Sequence, residues 1–361
     1  MKKHVAFFMG SISRGAGTER MTTSLANKLS LAGYPVSIIS LYKSDKPFFP
    51  LEKKIKLHSL LIPEKNATIH FFKTCRRLSK IVRREKIDLL INVDVILALC
   101  SLPLKLWIPD LKIISWEHFN YKTNLGVRRR DWARNLSKRY ADAIVTLTLQ
   151  DKNYYCENLT RKFQVINIPN FLDSENADPA AIGNKNIVAI GRLTYQKGFD
   201  ILLNIWAQAQ AKIKDREWKL YIVGDGEDKD KLSQQAEKLN ILDSVCFVGA
   251  KKDVSTYYLN SSIYLMTSRF EGLPMVLIEA LWHGLPIISF DCVTGPADIV
   301  DDGQNGYLIP QNDNTQFVEK LIELTSDFER RSKMQLDALE KAKQFKSARI
   351  INEWKNLIDN I

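Results

Sequence analysis

Short apolar runs alternate with longer amphipathic stretches along the whole chain. In the first half the runs are HVAFFM, VSIIS, IDLLINV, LKIIS and AIVTL, and in the second half they are NIVAI, WKLYIVG, SVCFVG, SIYLMTS and LPIIS. Continuous apolar strands that are separated by helices are typical of parallel sheets covered on both faces. The pattern therefore predicts an α/β protein with two doubly wound, Rossmann-like parallel-sheet domains in series.

The expected boundary between the two domains lies near Pro169 and Asn170, where a strand ends and a polar stretch follows. We predict an N-terminal domain over residues 1–170 and a C-terminal domain over residues 171–345. From about residue 327 the chain has helical periodicity, and its apolar positions fall on one face. These positions are Phe345, Ile350, Trp354 and Leu357.

The composition is that of an ordinary globular protein. Of 361 residues, 45% are hydrophobic and 26% are charged. No run approaches the roughly 18 apolar residues of a membrane-spanning helix, and the apolar run near the N-terminus is too short for a signal peptide. The five cysteines are scattered without a CxxC motif, so we expect reduced thiols in a cytoplasmic protein and no disulfide or metal framework.

Charge is distributed unevenly between the two halves. Residues 1–172 contain 30 lysines and arginines and 13 aspartates and glutamates, a net charge of +17. The remaining residues contain 22 basic and 28 acidic side chains, a net charge of −6, and the total is +11. We therefore expect the first half to bind an anionic partner: nucleic acid, an anionic membrane surface or a phosphate-bearing substrate.

Because ligands of open α/β sheets bind beyond the carboxyl ends of the strands, the loops that follow strands are expected to contain the ligand-binding and catalytic residues. The first is GSISRGAGTER, in which Gly15 and Gly17 let backbone amides approach a ligand. A helix is expected to begin near Thr18, and helix N-termini favour anions. A tight turn without a ligand is an equally good interpretation of this loop.

The second loop is GRLTYQKGFD, directly after the run NIVAI. Arg192 and Lys197 flank a turn that ends at Gly198, and a helix is expected from Phe199. An arginine fork and a lysine point charge at the end of a parallel strand suit a diphosphate. The alternative is a pair of solvated surface cations.

The third loop and its helix form the segment SRFEGLPMVLIEALWHGLPIIS. Pro274 suits the first helical turn, and the free amides at Gly272 and Leu273 suit a negative ligand. Glu279 lies about a turn and a half into the helix, where its carboxylate can accept both hydroxyls of a ribose. The alternatives are a solvent-facing Glu279 and a Glu271 that only stabilises the helix N-terminus.

Several segments of the second half resemble, in order, the signature segments of the retaining glycosyltransferases of family four, which have the GT-B fold. They are GRLTYQKGFD, IVGDGEDKDKL, VCFVG, SRFEGLPMVLIEALWHGLPIIS and TGPADIVDDGQNGYLIP, and they cover most of residues 185–310. The first half is similar through the glycine loop, SWEHFN, YADAIVTLT and IPN. The resemblance implies two domains facing a central cleft, with a C-terminal helix, about residues 346–361, packing back on the N-terminal domain.

The resemblance also implies a nucleotide-sugar donor, with UDP as the expected nucleotide and a hexose or N-acetylhexosamine as the sugar. Arg192 and Lys197 would neutralise the diphosphate, Glu279 would bind the ribose, and Glu271 would hold the sugar and the distal phosphate together with the amides of the loop. The backbone at Val248 and Gly249 would contact the base. The amide-bearing loop residues are Gly272, Leu273 and the neighbours of Pro274.

His118, in SWEHFN, matches a family histidine that approaches the sugar ring, and its alternative role is structural. Transfer in this family retains the anomeric configuration. It relies on cations aimed at the leaving diphosphate rather than on an acid–base pair. No His/Asp cluster with ligand spacing is present in the sequence, so we expect no tightly bound metal or other cofactor.

The basic residues of the first half fall in two segments. In residues 70–86 the apolar residues Phe72, Cys75, Leu78 and Val82 recur at helical spacing among cations, which predicts a basic amphipathic helix suited to an anionic membrane surface. A second basic segment ends near Tyr140. The candidate contacts to a lipid-linked diphosphate or to the leaflet are Arg76, Arg77, Lys80, Arg83, Arg84, Arg128, Arg129 and Arg130.

The sequence therefore favours a glycosyltransferase that acts on a lipid-linked or envelope glycan and is peripheral on the inner face of the cell membrane. One alternative is a transferase that makes a storage glucan or a small glycoside. Another is a basic nucleic-acid-binding protein, but its basic segments would need aromatic stacking platforms, and aliphatic residues predominate there. We expect no nucleic-acid partner, and the sequence predicts no oligomeric state.

Overall fold

The computed structural model describes residues 2–44, 46–64, 70–124, 126–157, 164–172 and 178–361. The chain divides into two compact units. The first comprises Met1–Asp173 and Ser347–Ile361, and the second comprises Ser174–Lys346. Each unit contains one sheet in which all strand pairs are parallel, so the predicted α/β class with two Rossmann-like sheets is confirmed.

The sheet of the first unit has seven strands. They are β1 (Val5–Met9), β2 (Val36–Tyr42), β3 (Lys56–Ile62), β4 (Leu89–Val93), β5 (Lys112–Glu117), β6 (Ala143–Thr146) and β7 (Gln164–Asn167). Their order is β3-β2-β1-β4-β5-β6-β7. Every residue of β1 and β4 is buried, as expected for central strands that are covered on both faces.

Helices cover this sheet. They are α1 (Gly17–Leu31), α2 (Phe71–Glu85), α3 (Ala98–Ser101), α4 (Arg129–Tyr140) and α5 (Leu149–Glu157), with 3-10 turns at Val95–Leu97 and Leu102–Leu106. The predicted amphipathic helix is present, but Cys75, Leu78 and Val82 of its apolar face are buried in the core of the first unit and do not face a membrane surface. Phe72 is 82% exposed, whereas Phe71, in the first turn of the helix, packs against the core.

The sheet of the second unit has six strands. They are β8 (Asn186–Ile190), β9 (Lys219–Val223), β10 (Val245–Gly249), β11 (Ile263–Met266), β12 (Ile287–Asp291) and β13 (Gly306–Pro310). Their order is β10-β9-β8-β11-β12-β13, so the chain reverses direction across the sheet between β8 and β11. Loops at such a reversal line the ligand crevice in this class of fold.

The helices of the second unit include the two that follow the predicted chemical loops. They are α6 (Phe199–Lys212), α7 (Lys229–Lys238), α8 (Ser255–Leu259), α9 (Met275–Trp282), α10 (Pro296–Ile299), α11 (Asn314–Ser326) and α12 (Phe328–Ala342), with 3-10 turns at Tyr195–Lys197 and Lys343–Phe345. The core between α6, the sheet and α11 contains Trp206, Phe290 and Phe317.

The last helix, α13 (Ser347–Asn360), belongs to the first unit, as predicted. Trp354 is 1% exposed, and its ring lies edge-on to Trp116 with the ring centroids 5.0 Å apart. The hydroxyl of Tyr34 donates to the carboxylate of Asp359 at 2.8 Å. The tail is therefore part of the core of the first unit.

Replacing Trp354 with alanine should lower the free energy of unfolding by about 3–5 kcal/mol, because it leaves a cavity against Trp116. Asn356→Ala, at an exposed position of the same helix, is the matched control and should change stability little. Urea unfolding followed by tryptophan fluorescence and by circular dichroism measures both. Equal unfolding midpoints for the two variants would contradict the packing described for α13.

Candidate active site

Two loops meet at the carboxyl edge of the second sheet, because β8 and β11 are neighbours in it. One follows β8 and the other follows β11. Several hydrogen bonds join them. Thr267 Oγ1 donates to the carbonyl of Gly198 at 2.9 Å, the amide of Arg269 donates to the carbonyl of Gln196 at 2.8 Å, and Gln196 Nε2 donates to the carbonyl of Phe270 at 3.0 Å. The two loops therefore form one framework.

Gly198 makes this close approach possible. Its φ is +67°, in the left-handed region, and a Cβ built on it would lie 2.0 Å from the carbonyl oxygen of Thr267. Only glycine fits there. The turn that carries Lys197 is thus held at a fixed distance from the loop after β11.

Lys197 and Glu271, predicted on separate loops, are brought together by this framework. Lys197 Nζ donates to Glu271 Oε1 at 2.7 Å. Glu271 is only 6% exposed. Two hydrogen bonds anchor its backbone: its amide donates to the carbonyl of Val293 at 3.2 Å, and its carbonyl accepts from the amide of Thr294 at 3.1 Å. The carboxylate therefore sits at a fixed position beside the ammonium group.

Arg192 occupies the same loop as Lys197, directly after β8, and its side chain is exposed. Within the described part of the chain its guanidinium makes no hydrogen bond or ion pair. The loop itself is anchored, since the amide of Leu193 donates to the carbonyl of Asp225 at 3.0 Å and the carbonyl of Leu193 accepts from the amide of Asp228 at 3.0 Å. An exposed cationic side chain thus extends from an anchored loop.

Arg269 was not predicted as a site residue, but its side chain links the loop after β11 to the loop and helix that follow β8. It makes two hydrogen bonds to the carboxylate of Asp200, at 2.9 and 2.6 Å, and one to the carbonyl of Tyr195, at 2.7 Å. Its guanidinium also lies over the Tyr195 ring, 4.0 Å from the centroid. The hydrogen bonds from Arg269 hold the pKa of Asp200 below its usual value. The position of Arg269 within the SRFEGLP segment is the only sequence signal that pointed to it.

Glu279 lies inside α9, which begins at Met275 directly after Pro274, as predicted. Its carboxylate accepts a hydrogen bond from the hydroxyl of Tyr258 at 2.9 Å. Tyr258 is buried and stacks between the rings of Tyr264 and His283, with centroid distances of 5.8 and 5.3 Å. Sequence analysis did not identify Tyr258, which fixes the orientation of the glutamate.

The loop before α9 is packed against a second glycine. Gly295 has a φ of +103°, and a Cβ on it would lie 2.2 Å from the carbonyl oxygen of Gly272 and 2.6 Å from Cδ of Pro274. Leu273 is buried.

Val248 and Gly249 end β10, and β9 separates that strand from β8. These two residues therefore lie at the same edge of the sheet as the Lys197 loop, but further along it.

In the first unit, His118 directly follows β5. Its ring lies 4.2 Å from that of Trp116, and its Nε2 is buried with no hydrogen-bond partner among the described residues. Burial lowers the pKa of His118 to about 3, so the imidazole is neutral at physiological pH. A neutral imidazole with an unsatisfied nitrogen is able to bind a hydroxyl group.

The loop that carries His118 is held by a buried ionic network that sequence analysis missed. Arg134 Nε donates to Glu117 at 2.9 Å, and the hydroxyl of Tyr155 donates to the same carboxylate oxygen at 2.8 Å. Arg134 also donates to the carbonyls of Asn120 and Thr123, at 2.9 and 3.0 Å. The network fixes the backbone on both sides of the turn after His118.

The glycine loop follows β1. Gly17 is the first residue of α1, and a Cβ there would have open space around it. Gly15 is constrained in a different way, since a Cβ on it would lie 2.8 Å from the ring of Phe48. Glu19, in the first turn of α1, is buried, and this burial raises its pKa.

The predicted basic residues of the first unit are not equivalent. Arg128 and Arg129 are exposed, whereas Arg130 is buried and makes two hydrogen bonds to Asp94, at 2.9 and 2.8 Å. Arg130 is therefore an internal ion-pair residue and not the surface contact that was expected. On α2, Arg77 is half-buried and donates to the carbonyl of Leu60. The exposed cations of α2 are Lys73, Arg76, Lys80, Arg83 and Arg84.

Among the residues that the structure describes, no group of three or more His, Cys, Asp or Glu side chains is placed to hold a metal ion. No described helix is long and apolar enough to cross a membrane.

The sequence matches two glycosyltransferase family profiles. The profile described as Glycosyltransferase Family 4 matches residues 15–176, and the profile described as Glycosyl transferases group 1 matches residues 174–341. Together they span most of both units.

Relatives of full length carry glycosyltransferase names. The chain is 36% identical to an uncharacterized glycosyltransferase of Haemophilus influenzae, over 99% of this chain and 100% of that protein. It is 32% identical to the amylovoran biosynthesis glycosyltransferase AmsD of Erwinia amylovora, over 96% and 97%. A Campylobacter jejuni protein named as an N-acetyl-D-galactosaminyltransferase for a PP-undecaprenol-linked saccharide is 27% identical, over 99% and 98%.

Two solved structures share the fold. The lipopolysaccharide outer core galactosyltransferase WaaB, in its apo form, superposes with a TM-score of 0.78 at 22% identity over 99% of both chains. HepE of Anabaena, in complex with UDP, superposes with a TM-score of 0.81 at 16% identity over 100% of both chains. The GT-B fold that the sequence predicted is confirmed. Because two relatives exceed 30% identity over nearly the whole chain, the protein belongs to the family-four glycosyltransferases and is a glycosyltransferase.

Proposed function

We propose that this enzyme transfers a hexose or N-acetylhexosamine from a UDP-sugar, with retention of anomeric configuration, to an envelope or lipid-linked glycan at the inner face of the cell membrane. The observation that carries the proposal is the joining of the Lys197 loop and the Glu271 loop at the reversal point of the second sheet. That edge is where this class of fold binds nucleotides.

The cations of this site suit a diphosphate leaving group. Arg192 is exposed on an anchored loop, and Lys197 lies five positions later on the turn held by Gly198. The loop just before α9 contains Gly272 and Leu273, and its backbone amides at the helix N-terminus add further groups that bind an anion. Charge that develops on a departing diphosphate would be stabilised by these preorganised groups.

Glu279 suits the ribose of the same nucleotide. The hydroxyl of Tyr258 donates to one carboxylate oxygen and so fixes the rotamer, while a carboxylate retains further acceptor sites for a pair of ribose hydroxyls. The UDP in the HepE structure supports uracil as the base. The amides and carbonyls at Val248 and Gly249 are the groups proposed to read it.

In the proposed reaction the bond between the anomeric carbon and the diphosphate oxygen breaks, and a bond to the acceptor oxygen forms on the same face of the sugar. The acceptor's proton passes to the leaving diphosphate. No carboxylate is needed as a general base, which fits the ion pairing of Glu271 with Lys197 and the hydrogen bond to Glu279. His118, neutral and with an unsatisfied Nε2, is proposed to bind a sugar hydroxyl.

The acceptor side of the proposal rests on the first unit and on the relatives. AmsD is named for amylovoran synthesis, and the Campylobacter enzyme is named for a PP-undecaprenol-linked saccharide. The exposed face of α4 combines Arg128, Arg139, Trp132, Leu136 and Tyr140. Exposed aromatic and aliphatic groups among cations suit the headgroup region of an anionic leaflet.

Removing either donor-site cation should abolish most of the transfer. In a screen of UDP- and GDP-sugars, Arg192→Ala and Lys197→Ala should each lower kcat on the order of 10²–10³-fold, as for other preorganised charge-stabilising groups. Arg216→Ala is the matched control, because Arg216 precedes β9 and lies at the opposite, amino edge of the sheet. Wild-type turnover in both site variants, or a product of inverted anomeric configuration by NMR coupling constants, would refute the assignment.

Trp132 should contribute to membrane binding. Its side chain is 64% exposed, and replacing it with alanine should weaken co-sedimentation with anionic liposomes about fivefold or more, since a buried aromatic group contributes roughly 1.5–3 kcal/mol. Leu336→Ala, on α12 of the second unit and 69% exposed, is the control and should have no effect. If binding of the protein to liposomes does not depend on the anionic lipid content, or is not weakened by high salt, the proposed location is contradicted.

A further inference from the structure

The ion pair of Lys197 with Glu271 puts a negative charge where a diphosphate is proposed to bind. The 2.7 Å contact means that any phosphate that reaches Lys197 competes with the Glu271 carboxylate for the ammonium group. Glu271 is 6% exposed, so this competition takes place largely shielded from water. Charges at such a distance interact more strongly there than at an open surface.

Neither partner is placed to move far away. The backbone of Glu271 is hydrogen bonded to residues 293 and 294, and those contacts are backed by the close approach of Gly295 to Gly272. Lys197 sits on the turn that Gly198 and Arg269 join to the loop after β11. Both backbones are therefore anchored, and the carboxylate lies next to the position proposed for the phosphate.

An intact sugar nucleotide and its spent nucleoside diphosphate differ in what they offer this carboxylate. The sugar carries hydroxyls that donate hydrogen bonds to Glu271 and replace the contact with Lys197. The spent diphosphate has no such hydroxyls. It also ends in a phosphate with a second pKa of about 6, so at neutral pH it carries nearly one more negative charge next to Glu271.

We propose that Glu271 is a specificity-determining residue that favours the intact sugar nucleotide over the spent nucleoside diphosphate and so promotes product release. The inference rests on the proposed function and deepens it. It assigns to the charge of Glu271 a role separate from holding the sugar. Glutamine at this position keeps an acceptor for sugar hydroxyls but removes the charge, which separates the two roles.

Calorimetric titration with UDP and UMP tests the inference. Glu271→Gln should lower the Kd for UDP about 3- to 20-fold, a range set by the strength of partly buried charge interactions. The Kd for UMP, which lacks the second phosphate, should change less than about twofold, an effect within the scatter of surface substitutions. Glu271→Asp keeps the charge and should bind UDP about as weakly as the wild-type protein. Glu329→Gln removes an exposed charge of the same unit, in the first turn of α12, and should leave both affinities unchanged.

Equal or weaker UDP binding by Glu271→Gln than by the wild type, in protein of unchanged Tm, would overturn the inference. So would equal tightening of UDP and UMP, because the effect would then not arise at the second phosphate. These results leave the proposed function standing if the wild-type protein still transfers sugar from a UDP-sugar. If the wild type binds neither UDP nor UMP and uses no UDP-sugar, the proposed function and the inference both fail.

Discussion

The parallel pairing of β8 with β11 is the constraint on which the candidate active site depends. Lys197 and Glu271 are 74 positions apart in the sequence, and their 2.7 Å contact exists because the strands before them end side by side. Tyr264 secures the pairing, since its buried hydroxyl lies 3.2 Å from the carbonyl oxygen and 3.3 Å from the amide nitrogen of Ile190, at the end of β8. The packing of one strand pair thus sets the geometry of both loops.

Most of the fold follows from the apolar pattern. Each apolar run that the pattern identified forms a strand. Three further strands, β3, β7 and β13, were not among those runs, and each lies at an edge of its sheet. In β3 the edge position explains the weak signal, because a strand with a neighbour on one side only tolerates polar residues such as Lys56 and His58. β13 has the apolar sequence GYLIP, so this explanation does not apply to it. Helical spacing identified the apolar face of α2, but it could not show that Cys75, Leu78 and Val82 on that face pack into the core of the first unit and not against a membrane.

The candidate site was predictable where chemistry follows a strand and unpredictable where it depends on a distant partner. Position after a strand was enough to place Arg192, Lys197 and Glu271 on loops at the carboxyl edge of the second sheet, and their roles there stay proposals. Residue spacing did not show that Arg130 is buried against Asp94. The sequence of a basic segment is the same whether an arginine in it is solvated or is paired with a carboxylate 36 positions away. For the same reason, the sequence did not predict the contact of Tyr258 with Glu279 or the hydrogen-bond network around Arg134. A count of charges therefore overestimates the cationic surface of the first unit.

The two glutamates of the segment after β11 illustrate how environment separates identical side chains. Glu271 is paired with a cation, and Glu279, eight positions later, accepts from the neutral hydroxyl of Tyr258. A ligand phosphate that approaches Glu271 meets a carboxylate that is partly neutralised by Lys197, and it can take over that cation. The hydroxyl of Tyr258 instead leaves the Glu279 carboxylate suited to neutral donors such as the ribose hydroxyls proposed above. Under the proposed function, this difference between the two glutamates would orient a nucleotide along the segment, with its diphosphate toward Lys197 and its ribose toward Glu279.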